Sequence, residues 1–197
     1  MMRVPQVRIA AAVVLLSSAI VCTAGAPELK SGVFDPPRMA PDFSLRGSDG
    51  GEVKLMHYRD KVVALGFGYT SCPDVCPTTL AQLAEVRKRL GPLAKEFQVV
   101  YVTVDPERDS VAQLKNYLDS FDPTFIGATG TQQQLAEVRK EYGISAEKVP
   151  VQGGGAYFIH HSSFIYLVDR EGRLRAMSPY GRSVDDVVSD VKVLLKK

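Results

Sequence analysis

The sequence has no tryptophan, only three cysteines and only three histidines, so any site chemistry must come from a short list of residues. It also lacks an excess of charge. The formal net charge of +2 rests on Arg3 and Arg8; without residues 1–26, 22 of the 24 basic residues remain against 22 acidic ones. A neutral domain offers no basic footprint for nucleic acid, which excludes nucleic-acid partners of the electrostatic kind. Glycine and proline are scattered, at 16 and 12 residues, and no heptad pattern runs through the chain. Collagen-like, coiled-coil and wholly disordered chains are thereby excluded.

What is present is a globular composition, 45% hydrophobic and 23% charged over 197 residues. That length suits one compact domain plus a processed or tethering segment. Residues 1–26 supply the segment: a basic start, MMRVPQVR, an apolar run from Ile9 to Cys22, and small residues at Ala24-Gly25-Ala26. This is the form of an export signal. Extended through Ala26, the run approaches the roughly 20 residues that span a bilayer, so an uncleaved N-terminal anchor fits as well. Lipidation at Cys22 would want a small residue before it, where Val21 stands. With the basic end cytoplasmic, the domain faces the periplasmic side of the inner membrane, where paired thiols can be oxidised.

Residues 27–40, with Pro27, Pro36 and Pro37, read as a linker, and the domain proper as 41–197. Pro41–Leu45 and Gly51–Leu55 flank the turn-forming GSDGG and predict a hairpin. Lys61–Tyr69 is a near-continuous apolar run of strand length, as expected for a strand covered on both faces. A helix follows from Pro77 to Gly91, with Leu80, Leu83, Ala84, Val86 and Leu90 on one side. Gln98–Val104 is a second buried strand and Thr124–Ala128 a short one. Asp109-Ser110 caps a helix to about Ser120, and Thr131–Tyr142 forms another, stopped by Gly143. Ser162–Asp169 and Arg173–Met177 form a terminal hairpin, and Ser183–Leu195 a last helix. Strands alternating with helices predict a thioredoxin-like α/β fold: a mainly parallel sheet with an antiparallel edge, helices on both faces, and an N-terminal hairpin extension.

Cys72 and Cys76 stand where the first buried strand gives way to a helix, and the carboxyl ends of strands are where α/β proteins build sites. Four residues apart, their sulfurs can converge on one point, and a helix N-terminus favours thiolate. Pro73 and Pro77 stiffen the loop. A structural disulfide is the plainer reading, yet a bridge across so small a loop stabilises little. A structural zinc site wants four protein ligands. Two thiolates with one imidazole suit copper, Cu(I) especially. The imidazole candidates are the adjacent His160 and His161, which in a strand point to opposite faces, so at most one faces the cysteines. Gly153-Gly154-Gly155 just before them permits movement, and His57 reads as a surface residue. Asp105 falls on the same rim, either as a turn residue before Pro106 or as part of the site; Asp74 is a cap or a charge near it. Tyr101, Tyr157 and Phe158 read as core.

Three segments, GFGYTSCPDVCPTTL, VTVDPERD and HHSSFIYLVDREGRL, resemble the Sco/SenC family of copper-binding thioredoxin-like proteins, over nearly all of the chain from Pro41 onward. The resemblance implies a membrane-tethered thioredoxin-like domain facing the periplasm. It implies that Cys72, Cys76 and His161 bind copper, Cu(I) or Cu(II), and that the protein delivers it to, or reduces the thiols of, the copper A centre of cytochrome c oxidase. Partners would be the copper A subunit and other copper chaperones or thioredoxin-like reductants. The family commonly has an acidic residue where this chain has His160. A thiol:disulfide oxidoreductase is the alternative, Cys72 attacking a partner disulfide and Cys76 resolving it. Such enzymes of this fold normally have two residues between the cysteines and a Pro opening the later strand, whereas three intervene here and His161–Phe164 has no Pro. A peroxidase would want a Pro upstream that GFGYTSC lacks.

Overall fold

A computed structural model describes residues 28–196. The segment read as a signal or anchor, with Cys22, lies outside the described residues. Two apolar runs form the centre of the sheet: β4 (Val62–Gly68) and β5 (Phe97–Thr103), both buried along their whole length. They pair in parallel from Val62↔Phe97 to Gly68↔Thr103, which brings both carboxyl ends to one rim. β5 pairs in parallel with β6 (Ile126–Thr129). The crossovers are α1 (Val75–Leu90), whose buried stripe is Cys76, Leu80, Leu83, Val86 and Leu90, and α2 (Val111–Asp119). Then come α3 (Gln132–Tyr142), begun by a capping box between Thr131 and Gln134, and α4 (Val184–Leu195), capped by Ser183.

The alternation of side chains along β4 sorts the helices. Gly66 and Gly68 face Tyr101 and the Cys76 side of α1, whereas Phe67 faces Tyr142 of α3 at 5.5 Å between ring centroids. α1 and α3 therefore cover opposite faces, as expected. Among the described residues no helix is long and apolar enough to cross a membrane.

The remaining strands are β1 (Gly32–Met39), β2 (Ser44–Gly47), β3 (Glu52–Lys54), β9 (Phe164–Val168) and β10 (Arg173–Pro179), and the sheet order is β1-β10-β9-β4-β5-β6-β2-β3. β2 and β3 are the predicted N-terminal hairpin, added to the β6 edge. Parallel pairing is confined to β4-β5-β6, so the antiparallel part is larger than a single edge. Within the segment 27–40, expected as a linker, Gly32–Met39 is instead a strand that pairs with β10 from Gly32↔Met177 to Met39↔Arg173. Pro36 and Pro37 fall where the register shifts between Val33 and Arg38, and an edge strand tolerates prolines there because no ladder donor is needed.

One pair of strands escaped sequence reasoning. β7 (Ala146–Pro150) and β8 (Tyr157–His161) form a separate two-stranded antiparallel sheet, register Ala146↔His161 to Pro150↔Tyr157. Gly153, Gly154 and Gly155 lie at its tip with φ of 108°, 110° and 73°, a backbone that side-chain-bearing residues rarely adopt. The glycine run thus makes a hairpin turn rather than a loose tether. β7 is half-exposed with no alternation of apolar residues, which is why it gave no strand signal.

Candidate metal centre

The buried strand β4 ends at Gly68, and the chain turns through Tyr69 and Thr70 into α1. Cys72 N–H donates to the Tyr69 carbonyl at 3.3 Å, closing the turn. Thr70 is held from behind by the carboxylate of Asp109, which accepts its N–H at 3.1 Å and its hydroxyl at 2.6 Å. Cys76 lies in the first turn of α1, where backbone N–H groups have no helical partner, and its N–H donates to Cys72 Sγ at 3.5 Å. Pro77, also in that first turn, removes a donor the helix does not need. Cys72 is half-buried and Cys76 buried, and both are free thiols.

His161, the last residue of β8, completes the group. Its Nε2 is 3.3 Å from Cys76 Sγ, and its Nδ1 is 2.9 Å from the Ser162 carbonyl. A carbonyl only accepts, so Nδ1 carries the proton and Nε2 turns its lone pair toward the sulfurs, the arrangement of a metal-binding imidazole. The two sulfurs and the imidazole nitrogen all lie within 4.8 Å of one another. Ligand atoms about 2.0–2.3 Å from a first-row ion in trigonal array stand about 4 Å apart, so closing on an ion asks for less than 1 Å of movement. Two soft sulfurs and an imidazole favour Cu(I) over hard cations.

The two thiols are unequal. Cys72 is held well below the ordinary thiol range, first by the hydrogen bond from Cys76 and further by the backbone N–H groups of Asp74 and Cys76. Cys76 is pushed up, because it donates that bond and because it is buried. The pair therefore rests as one thiolate and one thiol at neutral pH. A cleft of about 380 Å³ opens over Cys72, between Pro73, Asp74 and Val75 on one side and Phe158, Ile159 and His160 on the other.

His160 is exposed and lies outside the cluster of three, as the alternation of a strand requires. His57 is exposed in a short turn. Asp74 occupies the N-cap position of α1 without a side-chain capping bond. Asp105 is fully buried but not in the cluster: it pairs with Arg108 and accepts a hydrogen bond from the Tyr157 hydroxyl at 2.8 Å. Ser110 alone caps α2, while Asp109, expected as part of that cap, turns inward to Thr70 and Thr103. Tyr101 is core, but Tyr157 is half-buried and Phe158 is 45% exposed, contrary to the expectation that both are core. Arg108 and Tyr69 were missed altogether; the turn signal DPERD was legible, but the inward aim of its side chains was not.

The chain is similar to known proteins in sequence and in fold. A family model described as SCO1/SenC matches residues 33–196. The chain is 34% identical over 153 residues to the mitochondrial SCO2 homologue of Bos taurus, covering 77% of this chain and 58% of that protein, so it spans little more than half of that relative's length. Among solved structures, copper-bound ScoI of Bradyrhizobium japonicum aligns with a TM-score of 0.74 at 38% identity, covering 80% of this chain and 99% of that one. Apo Sco1 of Thermus thermophilus aligns at 0.77 and 34% identity, covering 87% and 99%.

Proposed function

The chain belongs to the SCO1/SenC family, and from that premise we propose that it is a copper chaperone that carries one copper ion on Cys72, Cys76 and His161 and delivers it to the copper A centre of cytochrome c oxidase during assembly. The observation that carries this reading is the convergence of two sulfurs and a correctly oriented imidazole nitrogen within 4.8 Å. Copper is the cargo. The Cys72 thiolate is ready to receive it, and loss of the Cys76 proton on binding makes capture pH-dependent. ScoI of Bradyrhizobium japonicum with copper bound, at 38% identity, supports the same cargo here. The acceptor is the copper A subunit, with other copper chaperones or thioredoxin-like reductants upstream, and the domain works on the periplasmic side of the inner membrane, tethered or exported through residues 1–26.

The test is anaerobic titration of the reduced chain with Cu(I) against a chelator of known affinity. One copper per chain is expected, lost in the Cys72→Ala/Cys76→Ala double variant and weakened in His161→Ala; no copper retained by the wild type overturns the reading. The unequal thiols favour a second reading, thiol:disulfide exchange. There the Cys72 thiolate attacks a partner disulfide and expels one partner thiolate; Cys76, losing its proton, then attacks Cys72 of the mixed disulfide and releases the second. The partner is reduced and the Cys72–Cys76 pair oxidised. Negligible copper affinity with rapid exchange would select this reading.

A further inference from the structure

The histidine of the cluster rides on a hairpin that shares no ladder with the eight-stranded sheet. Backbone pairing that fixes β4, and through it the cysteines, therefore does not fix His161 in the same way. The turn between β5 and α2 is one of the hairpin's anchors, and the one with most side-chain contacts to it. Arg108 donates through Nη1 to the Tyr157 carbonyl at 3.2 Å, and its guanidinium lies 3.8 Å from the centre of the Tyr157 ring. The guanidinium is itself held by the fully buried carboxylate of Asp105, to which the Tyr157 hydroxyl also donates at 2.8 Å. Glu107 pairs with Lys148 of β7 at 2.6 Å, so both strands of the hairpin are tied. Tyr69, next to the cysteine loop, accepts the Ile159 N–H at 3.2 Å and sets its ring edge-on to His161 at 5.8 Å. At the other end of the turn, Asp109 grips Thr70, two residues before Cys72.

We propose that the turn Asp105–Asp109 is a bracket that sets the distance between the cysteine pair and His161, with Arg108, locked between Asp105 and Tyr157, as the positioning residue for the histidine. The physical basis is that one five-residue turn touches both ligand-bearing segments, and that a planar guanidinium can bind a carboxylate, donate to a carbonyl and stack on a ring at the same time. Lysine can keep the charge but not the fork or the stacking. The functional consequence rests on the copper reading above; the structural one does not.

The test uses the full chain with Arg108→Met, Tyr157→Leu and Arg108→Lys. In the metal-free protein, amide hydrogen exchange is followed in residues 157–161 and, as an internal standard, in Phe97–Thr103. In the Cu(II)-loaded protein, the imidazole nitrogen coupling in the electron paramagnetic resonance spectrum and the rate of copper release to a chelator are measured. For Arg108→Met and Tyr157→Leu, exchange at 157–161 should rise about tenfold with the standard unchanged, the nitrogen coupling should weaken, and copper should leave about tenfold faster, the range seen when outer partners of metal ligands are removed. Arg108→Lys should fall between these and the wild type. Unchanged exchange at 157–161 in both Arg108→Met and Tyr157→Leu overturns the bracket, as does faster exchange with wild-type coupling and release. If Arg108→Met exposes the whole core to exchange, Tyr157→Leu decides, because Asp105 then keeps its guanidinium. If the wild type takes up no copper, the copper reading fails and the metal-free exchange alone judges the bracket.

Discussion

Gly68 closes β4 where the tertiary structure leaves no room for a side chain. A methyl group there would lie 1.9 Å from the Tyr101 hydroxyl and 2.7 Å from Cys76 Sγ. Gly68→Ala should therefore displace Cys76, cost about 1–3 kcal/mol by overpacking, and lower copper uptake; urea unfolding and Cu(I) competition check both. The inequality of the thiols has its own consequence. A depressed pKa keeps Cys72 ionised as pH falls below the ordinary thiol value of about 8.5, while Cys76, shifted the other way, stays protonated. Brief treatment of the reduced protein with iodoacetamide at pH 6 should modify Cys72 and spare Cys76, read by peptide mass spectrometry; equal labelling would contradict the assignment.

At the scale of elements, the β9–β10 turn depends on Asp169. Its buried carboxylate accepts the Arg173 N–H at 2.8 Å and pairs with the Arg173 and Arg175 guanidiniums at 2.9 and 3.1 Å. Burial raises its pKa, but the bonds from Arg173 and Arg175 outweigh that and the net shift is downward from 3.8. A lowered folded-state pKa contributes stability that is complete above the unfolded value and lost as pH falls through the folded one. Asp169→Ala should thus cost about 3 kcal/mol at neutral pH, and its difference from wild type should shrink below about pH 4, measured by denaturant unfolding across pH. The α3 cap is a smaller case: Thr131→Ala removes the bond to Gln134 N–H and should cost about 1 kcal/mol.

For the whole molecule, the strand at residues 32–39 is an integral part of the folded domain. Just before it, Lys30 and Ser31 donate their N–H groups to the carboxylate of Asp190 in α4, which is completely buried. A chain starting at residue 41 loses β1 and leaves that carboxylate without these donors, and should be less stable than one starting at residue 28 by about 3 kcal/mol, read from urea midpoints. Proline and scattered polarity made this segment look like a linker, since an edge strand needs neither a continuous apolar run nor every backbone donor. The β7–β8 hairpin was hidden for a similar reason. The central strands, the helix caps and the cysteine spacing at a strand-to-helix junction were legible from the chain alone, because periodicity, capping and a four-residue spacing are expressed within a few residues of one another. Strand alternation alone left open which of two adjacent histidines faces the sulfurs, and the family resemblance pointed to His161; that Asp105, Arg108 and Asp109 turn inward to hold the two halves of the site was decided only by the tertiary structure. Cys76 and His161 are 85 residues apart, and their 3.3 Å contact depends on how the hairpin docks against the rim of the sheet rather than on any local preference.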